Sequence, residues 1–217
     1  MRITRIEPQQ HDPTRRNIYI DGEYALGVSA ETLLRFGLRT GDELTSERLQ
    51  ALQAAENAAA AKRHALRLLS RRPRSEKEIR DALRTQEFSQ NEIETALRDL
   101  RSAGLLDDER FARSYIRDHV RLRPKGPVAV RQKLLLLGIS KDIIDRSLEE
   151  EFPHAVQEQV AYDLAVAFVD KSSRARTTPQ VLRQKLAAIL SRRGFTWDVI
   201  STVVNKVLRN SDTGDIE

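Results

Sequence analysis

Three runs of arginine and lysine dominate the chemistry this sequence could perform. Eight basic residues and two acids stand between Lys62 and Arg80, and eight between Arg110 and Lys133 with Asp118 alone opposed. From Lys171 to Arg193 there are seven and no acid. A guanidinium stays charged at any physiological pH and donates two parallel hydrogen bonds, which suits phosphate and carboxylate. The residues placed to do this are Arg71, Arg72, Arg74 and Lys77 in the first run. In the second they are Arg110, Arg113, Arg117, Arg121, Arg123, Lys125, Arg131 and Lys133, and in the third Arg183, Lys185, Arg192 and Arg193. At about 100° per residue, Arg110, Arg113, Arg117 and Arg121 share one helix face, opposite Phe111, Tyr115, Ile116, His119 and Leu122. The arginines are therefore expected in solvent. An idle solvated face is the competing reading for any single helix; three clusters at one corner weigh against it. Aromatic interleaving is sparse, so base stacking is not indicated.

Other chemistry is hard to find. The chain has no cysteine, which removes disulfides, thiolate metal sites and thiol nucleophiles and fits a reducing compartment. His11, His64, His119 and His154 lack metal-ligand spacing, and His119 lies on the apolar helix face, where a core or boundary role is expected. No Walker-type glycine loop is present, and no Ser-His-acid trio stands out. We therefore expect no catalytic residue, metal or cofactor, and a binding scaffold rather than an enzyme. No run approaches the roughly 18 apolar residues of a membrane span, and the N-terminus lacks a secretory apolar region. A cytoplasmic protein without membrane contact is expected. The net charge is +5, unevenly spread: residues 1–61 carry 7 Lys/Arg against 9 Asp/Glu, residues 62–217 carry 30 against 23. This excess, with a pI near 9.7, favours an anionic partner, either nucleic acid or an acidic protein surface.

An internal repeat positions the basic runs. Ile79, Val130 and Leu182 align, followed four residues later by Leu83, Leu134 and Leu186. Phe88, Ile139 and Phe195 come next, then the capping hydroxyls Ser89, Ser140 and Thr196. Ile93, Ile144 and Ile200 complete the pattern with Leu97, Leu148 and Val204. Each copy predicts three helices. The first span about 62–71, 108–123 and 155–171. The second start near Ser75, Pro127 and Thr178, with Ser75 and Thr178 as cap candidates, and the third at Ser89, Ser140 and Thr196. An i, i+4 apolar pair is too narrow a stripe for one unit to bury alone, so stacked neighbours are expected, in an elongated, curved, mostly α array.

Residues 1–45 differ. Extended runs at Ile3 to Ile6 and Asn17 to Ile20 precede the Asp21-Gly22 hairpin signal, with Tyr24 and Leu26 continuing the alternation on the return strand. Ser29 caps a short helix to Phe36 that Gly37 ends. One long helix is expected from Ser46 to about Ser70. The Ala58 to Ala61 run marks either close packing or an exposed stretch. The expected division is a β-hairpin and helix module at 1–45, a long helix with the first repeat at 46–106, a second repeat at 107–153, a third at 154–210 and a disordered tail at 211–217.

The string Gly104 to Ala112 (GLLDDERFA), then Gly126 and the LLGI of Leu136 to Ile139, resembles the RecX family, bacterial modulators of the RecA recombinase. The resemblance spans about 62–210, with the N-terminal module similar to an extension in some members. It implies a monomer that lies in the groove of a recombinase filament on single-stranded DNA. There it would inhibit ATP hydrolysis, strand exchange and the coprotease activity that triggers the SOS response. The signature residues read structurally: Gly104 ends a helix, Leu106, Phe111 and Ala112 are core, Asp107 and Asp108 cap the next helix. A helical-repeat protein acting directly on DNA is the alternative, with Ser75–Thr85 and Ser89–Ser102 as a helix-turn-helix, although Glu92, Glu94 and Asp99 suit a phosphate-lined groove poorly. A structural adaptor is a third reading. Reversing Arg113, Arg117 and Arg121 to Glu is expected to weaken inhibition with helical content intact.

Overall fold

The structure, a computed structural model, describes residues 1–122, 124–172 and 178–213. It forms two compact units, Met1–Leu106 and Asp107–Glu217.

In the first unit, strands β1 (Ile3–Pro8), β2 (Arg15–Ile20) and β3 (Glu23–Ser29) form an antiparallel sheet in that order. The Asp21-Gly22 turn forms as expected, with φ of 51° and 93°, and β1 adds a third strand to the hairpin. The alternation does not continue through Tyr24. Ile18 pairs with Leu26 while Tyr19 pairs with Tyr24, so Ala25 is an extra residue, a bulge that re-aims the side chain. Leu26 is buried and Tyr24 is left exposed. Ser29 caps α1 (Ala30–Phe36), which Gly37 closes at φ 61°. α2 (Ser46–Leu69) starts at the cap Thr45 and runs unbroken, its first half covering the sheet through Leu52.

One buried carboxylate fastens sheet to helix. Glu56, 3% exposed, accepts hydrogen bonds from Arg15 (2.8 Å), Arg63 (2.9 Å) and the Ser29 amide (2.9 Å). Burial opposes its ionisation, but the Ser29 amide, the Arg63 guanidinium and the Thr32 hydroxyl outweigh burial and hold the carboxyl below its ordinary 4.5.

The second half of α2 is the first helix of repeat one, joined by α3 (Glu76–Thr85) and α4 (Gln90–Ser102). Ser75–Glu78 and Ser89–Glu92 form reciprocal capping boxes. Ala61 and Ala65 are fully buried where α4 lies on α2, while Ala58 and Ala59 line a crevice of about 460 Å³, so the alanine run serves close packing. The core of this repeat is drawn from residues between Ala61 and Leu106, so its narrow stripe is buried within the unit rather than by a stacked neighbour. Long α2 supplies the surface that the short helices lack.

The second unit holds α5 (Asp108–Arg121), α6 (Pro127–Leu136), α7 (Lys141–Glu151), α8 (His154–Ser172), α9 (Pro179–Arg193) and α10 (Trp197–Thr213). Here repeats two and three share one core, with Phe152, Ile116, Leu134 and Ile144 at its centre. In each repeat the third helix packs on the first: α4 on α2, α7 on α5, α10 on α8. Among the aligned apolar positions, all are buried except Phe88 and Leu182, which are half-buried. Thr178 occupies the cap position of α9, but its hydroxyl makes no cap bond. Part of the tail expected to be disordered at 211–217 is helical: α10 continues to Thr213, with the Asn210 amide donating to the Tyr162 hydroxyl, and 214–217 lie outside the described residues.

The turn between second and third helices is the same three times. A left-handed residue, Glu87 (φ 60°), Gly138 (84°) or Gly194 (87°), precedes the apolar Phe88, Ile139 or Phe195. The amide of that apolar residue donates to Leu83, Leu134 or Leu190. In the second unit this turn also joins two repeats: the Gly126 and Val128 amides of α6 donate to the Arg193 and Gly194 carbonyls that end α9 (2.8 and 3.1 Å).

A Cβ on Gly126 would lie 2.2 Å from the Gly194 carbonyl, and its own φ of −73° is unstrained. Gly126→Ala is therefore expected to destabilise the second unit by about 1–3 kcal/mol through overpacking, read as a lower urea midpoint. For Glu56 the depressed pKa means that its stabilisation is present above pH 4.5 and is lost as pH falls through the folded-state value. Glu56→Gln should lower the unfolding midpoint at pH 7 and flatten its fall between pH 5 and pH 3.

Candidate functional site

The structure divides the sequence's basic residues into two groups according to whether a carboxylate lies within reach. In repeat one, Arg72 and Arg74 converge on Glu78 (2.7 and 3.9 Å), the carboxylate that already closes the α3 capping box. Neighbouring Arg80 bridges Glu76 and Glu94 (2.7 and 3.2 Å). Arg71 is exposed with no ion pair among the described residues, and Lys77 is exposed.

In repeat two, the stripe Arg110–Arg113–Arg117–Arg121 is not uniformly solvent-facing. Because α7 lies along α5, its C-terminal acids border the stripe. Arg113 is half-buried between Glu109 (2.7 Å) and Glu150 (3.0 Å), and its Nε is buried without a hydrogen-bond partner among the described residues. The hydrogen bond to Glu109 and then the nearby Glu150 charge hold this guanidinium still more firmly protonated. Arg117 reaches Glu151 at 2.7 Å, and Arg131 pairs with Asp145. Arg110, Arg121, Lys125 and Lys133 are exposed and make no ion pair among the described residues. Arg123 lies outside the described residues.

In repeat three, Arg183, Lys185, Arg192 and Arg193 are all exposed and none is ion-paired among the described residues. Arg183 donates to Asn205 (2.8 Å), and Arg193 donates to the Pro124 carbonyl (3.0 Å). That last bond brings the third run against the second, next to Lys125. The sequence does not reveal this junction, because Pro124 and Arg193 lie 69 residues apart. Its only local signal is a pair of glycines, one before α6 and one after α9.

The signature residues take structural places, except that Phe111, expected in the core, is only half-buried against it. Gly104 sits at φ 66°, Leu106 and Ala112 are buried, and the Asp107 carboxylate accepts from the Arg110 amide (2.9 Å). His119 stacks on Tyr115 at 4.0 Å and bonds the Tyr115 carbonyl. The helix-turn-helix candidate α4 turns its acids to its neighbours, Glu92 to Asn57 and Asp99 to Lys62 on α2 and Glu94 to Arg80 on α3. No cluster of ionisable groups fit to hold a metal occurs among the described residues, and none of their helices is long and apolar enough to cross a membrane.

One correction follows for the charge-reversal experiment. Arg113→Glu would set a third carboxylate between Glu109 and Glu150, so it should unfold at lower denaturant than wild type, whereas Arg110→Glu should not.

Family models match four segments that together make up most of the chain. Residues 1–45 match the regulatory protein RecX N-terminal domain, and 61–100, 107–148 and 158–204 match the first, second and third three-helix domains of RecX. The chain is 31% identical over 207 residues to the regulatory protein RecX of Clostridium beijerinckii, covering 95% of this chain and 96% of that one. It is 31% identical over 215 residues to that of Listeria monocytogenes, covering 99% and 79%. A crystal structure of a regulatory protein RecX superposes with a TM-score of 0.79 at 31% identity, covering 94% of this chain and 98% of that one. RecX from Lactobacillus salivarius gives 0.65 at 25%, covering 70% and 97%. With every three-helix repeat and the N-terminal module matched, and identity above 30% over nearly the whole length, the chain belongs to the RecX family of regulatory proteins.

Proposed function

We propose that this chain is a cytoplasmic, monomeric regulator that binds a RecA-type recombinase filament on single-stranded DNA. Binding holds down the filament's ATPase, strand-exchange and SOS coprotease activities, and the regulator performs no chemistry of its own. One observation carries the reading beyond family membership: on the second unit, cations survive the internal pairing. Arg110, Arg121, Lys125, Lys133, Lys185, Arg192 and Arg193 are exposed and without an ion pair among the described residues. Unpaired surface charge contributes little to folding but a good deal to long-range attraction of an anionic partner. A nucleoprotein filament supplies such a partner through its phosphates and acidic protein surface.

The test is ATP hydrolysis by recombinase on single-stranded DNA with the purified chain titrated in. Hydrolysis should fall in a saturable, salt-sensitive manner, since each phosphate contact made releases counterions. Hydrolysis unchanged at saturating protein would overturn the proposal.

A further inference from the structure

The junction of α9 and α6 carries an aromatic group that the core does not use. Trp197, the only tryptophan, is the first residue of α10 and is 72% exposed. Large aromatic side chains ordinarily bury most of their surface. The repeat does not require one here, since the residues after the equivalent caps are Gln90 and Lys141.

Trp197 follows Gly194, whose carbonyl meets α6, by three residues. Its flanking residues Thr196 and Asp198 line a crevice of about 920 Å³ together with Pro127 and Val128 from the first turn of α6. Arg193 lies four residues before Trp197, which puts its Cα within roughly 14 Å of the tryptophan Cα. Arg192 is beside it, and the Arg193 side chain reaches the Pro124 carbonyl next to Lys125. The α6 amides of Gly126 and Val128 already donate to carbonyls, so any phosphate here is met by side chains and not by a helix terminus. Asp198, the acid next to the indole, is held by the Thr196 hydroxyl and by His154 at 2.9 Å.

Although the sparse aromatics of the sequence do not indicate base stacking, the exposure of Trp197 reverses that expectation at one position, and we infer that Trp197 with Lys125, Arg192 and Arg193 is a stacking platform for single-stranded DNA. An unpaired base lies on the indole and the flanking phosphates meet the three cations, the combination that single-strand binders use without reading sequence. Duplex DNA offers no free base face. The exposed cations at the end of α9 and before α6 favour a phosphate-bearing strand over an apolar protein partner. The inference rests on the reading that the chain works on DNA-loaded filaments, and it assigns that contact to the DNA rather than to the recombinase.

Because Trp197 is the single tryptophan, its fluorescence reports on the platform directly. The full chain is titrated with a dT oligonucleotide and, in parallel, with a duplex of equal length. Binding of labelled oligonucleotide is also measured for Trp197→Phe and Trp197→Ala, with circular dichroism to confirm their folds and filament ATPase assayed alongside. The oligonucleotide should quench the fluorescence and the duplex should quench it much less. Trp197→Ala should bind roughly five- to hundredfold more weakly, with Trp197→Phe retaining most of the affinity. Absence of quenching, or equal affinity of Trp197→Ala and wild type, overturns the platform. So does a Trp197→Ala chain that loses ATPase inhibition at unchanged oligonucleotide affinity, because the indole then contacts protein. Inhibition without quenching would sink the platform alone; quenching without inhibition would support the platform and sink the filament reading.

Discussion

The turn between the second and third helix of each repeat is the constraint from which the rest follows. A single left-handed residue reverses the chain there, and the next amide bonds back to the apolar residue that ends the second helix's stripe. This aims Phe88, Ile139 or Phe195 inward and sends the third helix along the first. Two copies use glycine, which adopts φ near 84–87° without strain. The first uses Glu87, at a cost of about 1 kcal/mol, and its capping boxes on both sides compensate.

Once the third helix lies on the first, the acids it carries decide the fate of several arginines in the second unit. α7 ends in Glu149-Glu150-Glu151, so Arg113 and Arg117 of α5 are taken up internally, and Arg131 is taken by Asp145. α10 presents Asn205 where an acid would be needed, and the cations of α9 make no ion pair among the described residues. The same composition therefore yields a structural surface in one place and an available one in another. Net charge alone cannot make that distinction.

Much of this was legible in the sequence. The helix starts at Ser75, Ser89 and Ser140, the hairpin at Asp21-Gly22 and the core face of α5 all follow from local rules, since caps, turns and periodicity act within a few residues. What the sequence hid was non-local. Helical phasing places Arg113 among its neighbours on α5 but says nothing of α7 packed alongside. Glu56 looks like one more helix-surface acid until the Ser29 amide and Arg15 are brought onto it. Gly126 carries a family pattern, yet its physical reason is the Gly194 carbonyl that a side chain would strike. Trp197 is a core residue by type and a surface residue by position.

The division of arginines into structural and available groups is the central claim, and one paired measurement addresses it. Arg110→Ala/Arg121→Ala and Arg113→Ala/Arg117→Ala are compared for urea midpoint and for inhibition of filament ATPase. The account predicts that the first pair keeps its midpoint and loses inhibition, and that the second pair loses midpoint first. Inhibition that survives loss of Arg110 and Arg121, with both variants equally stable, would contradict it.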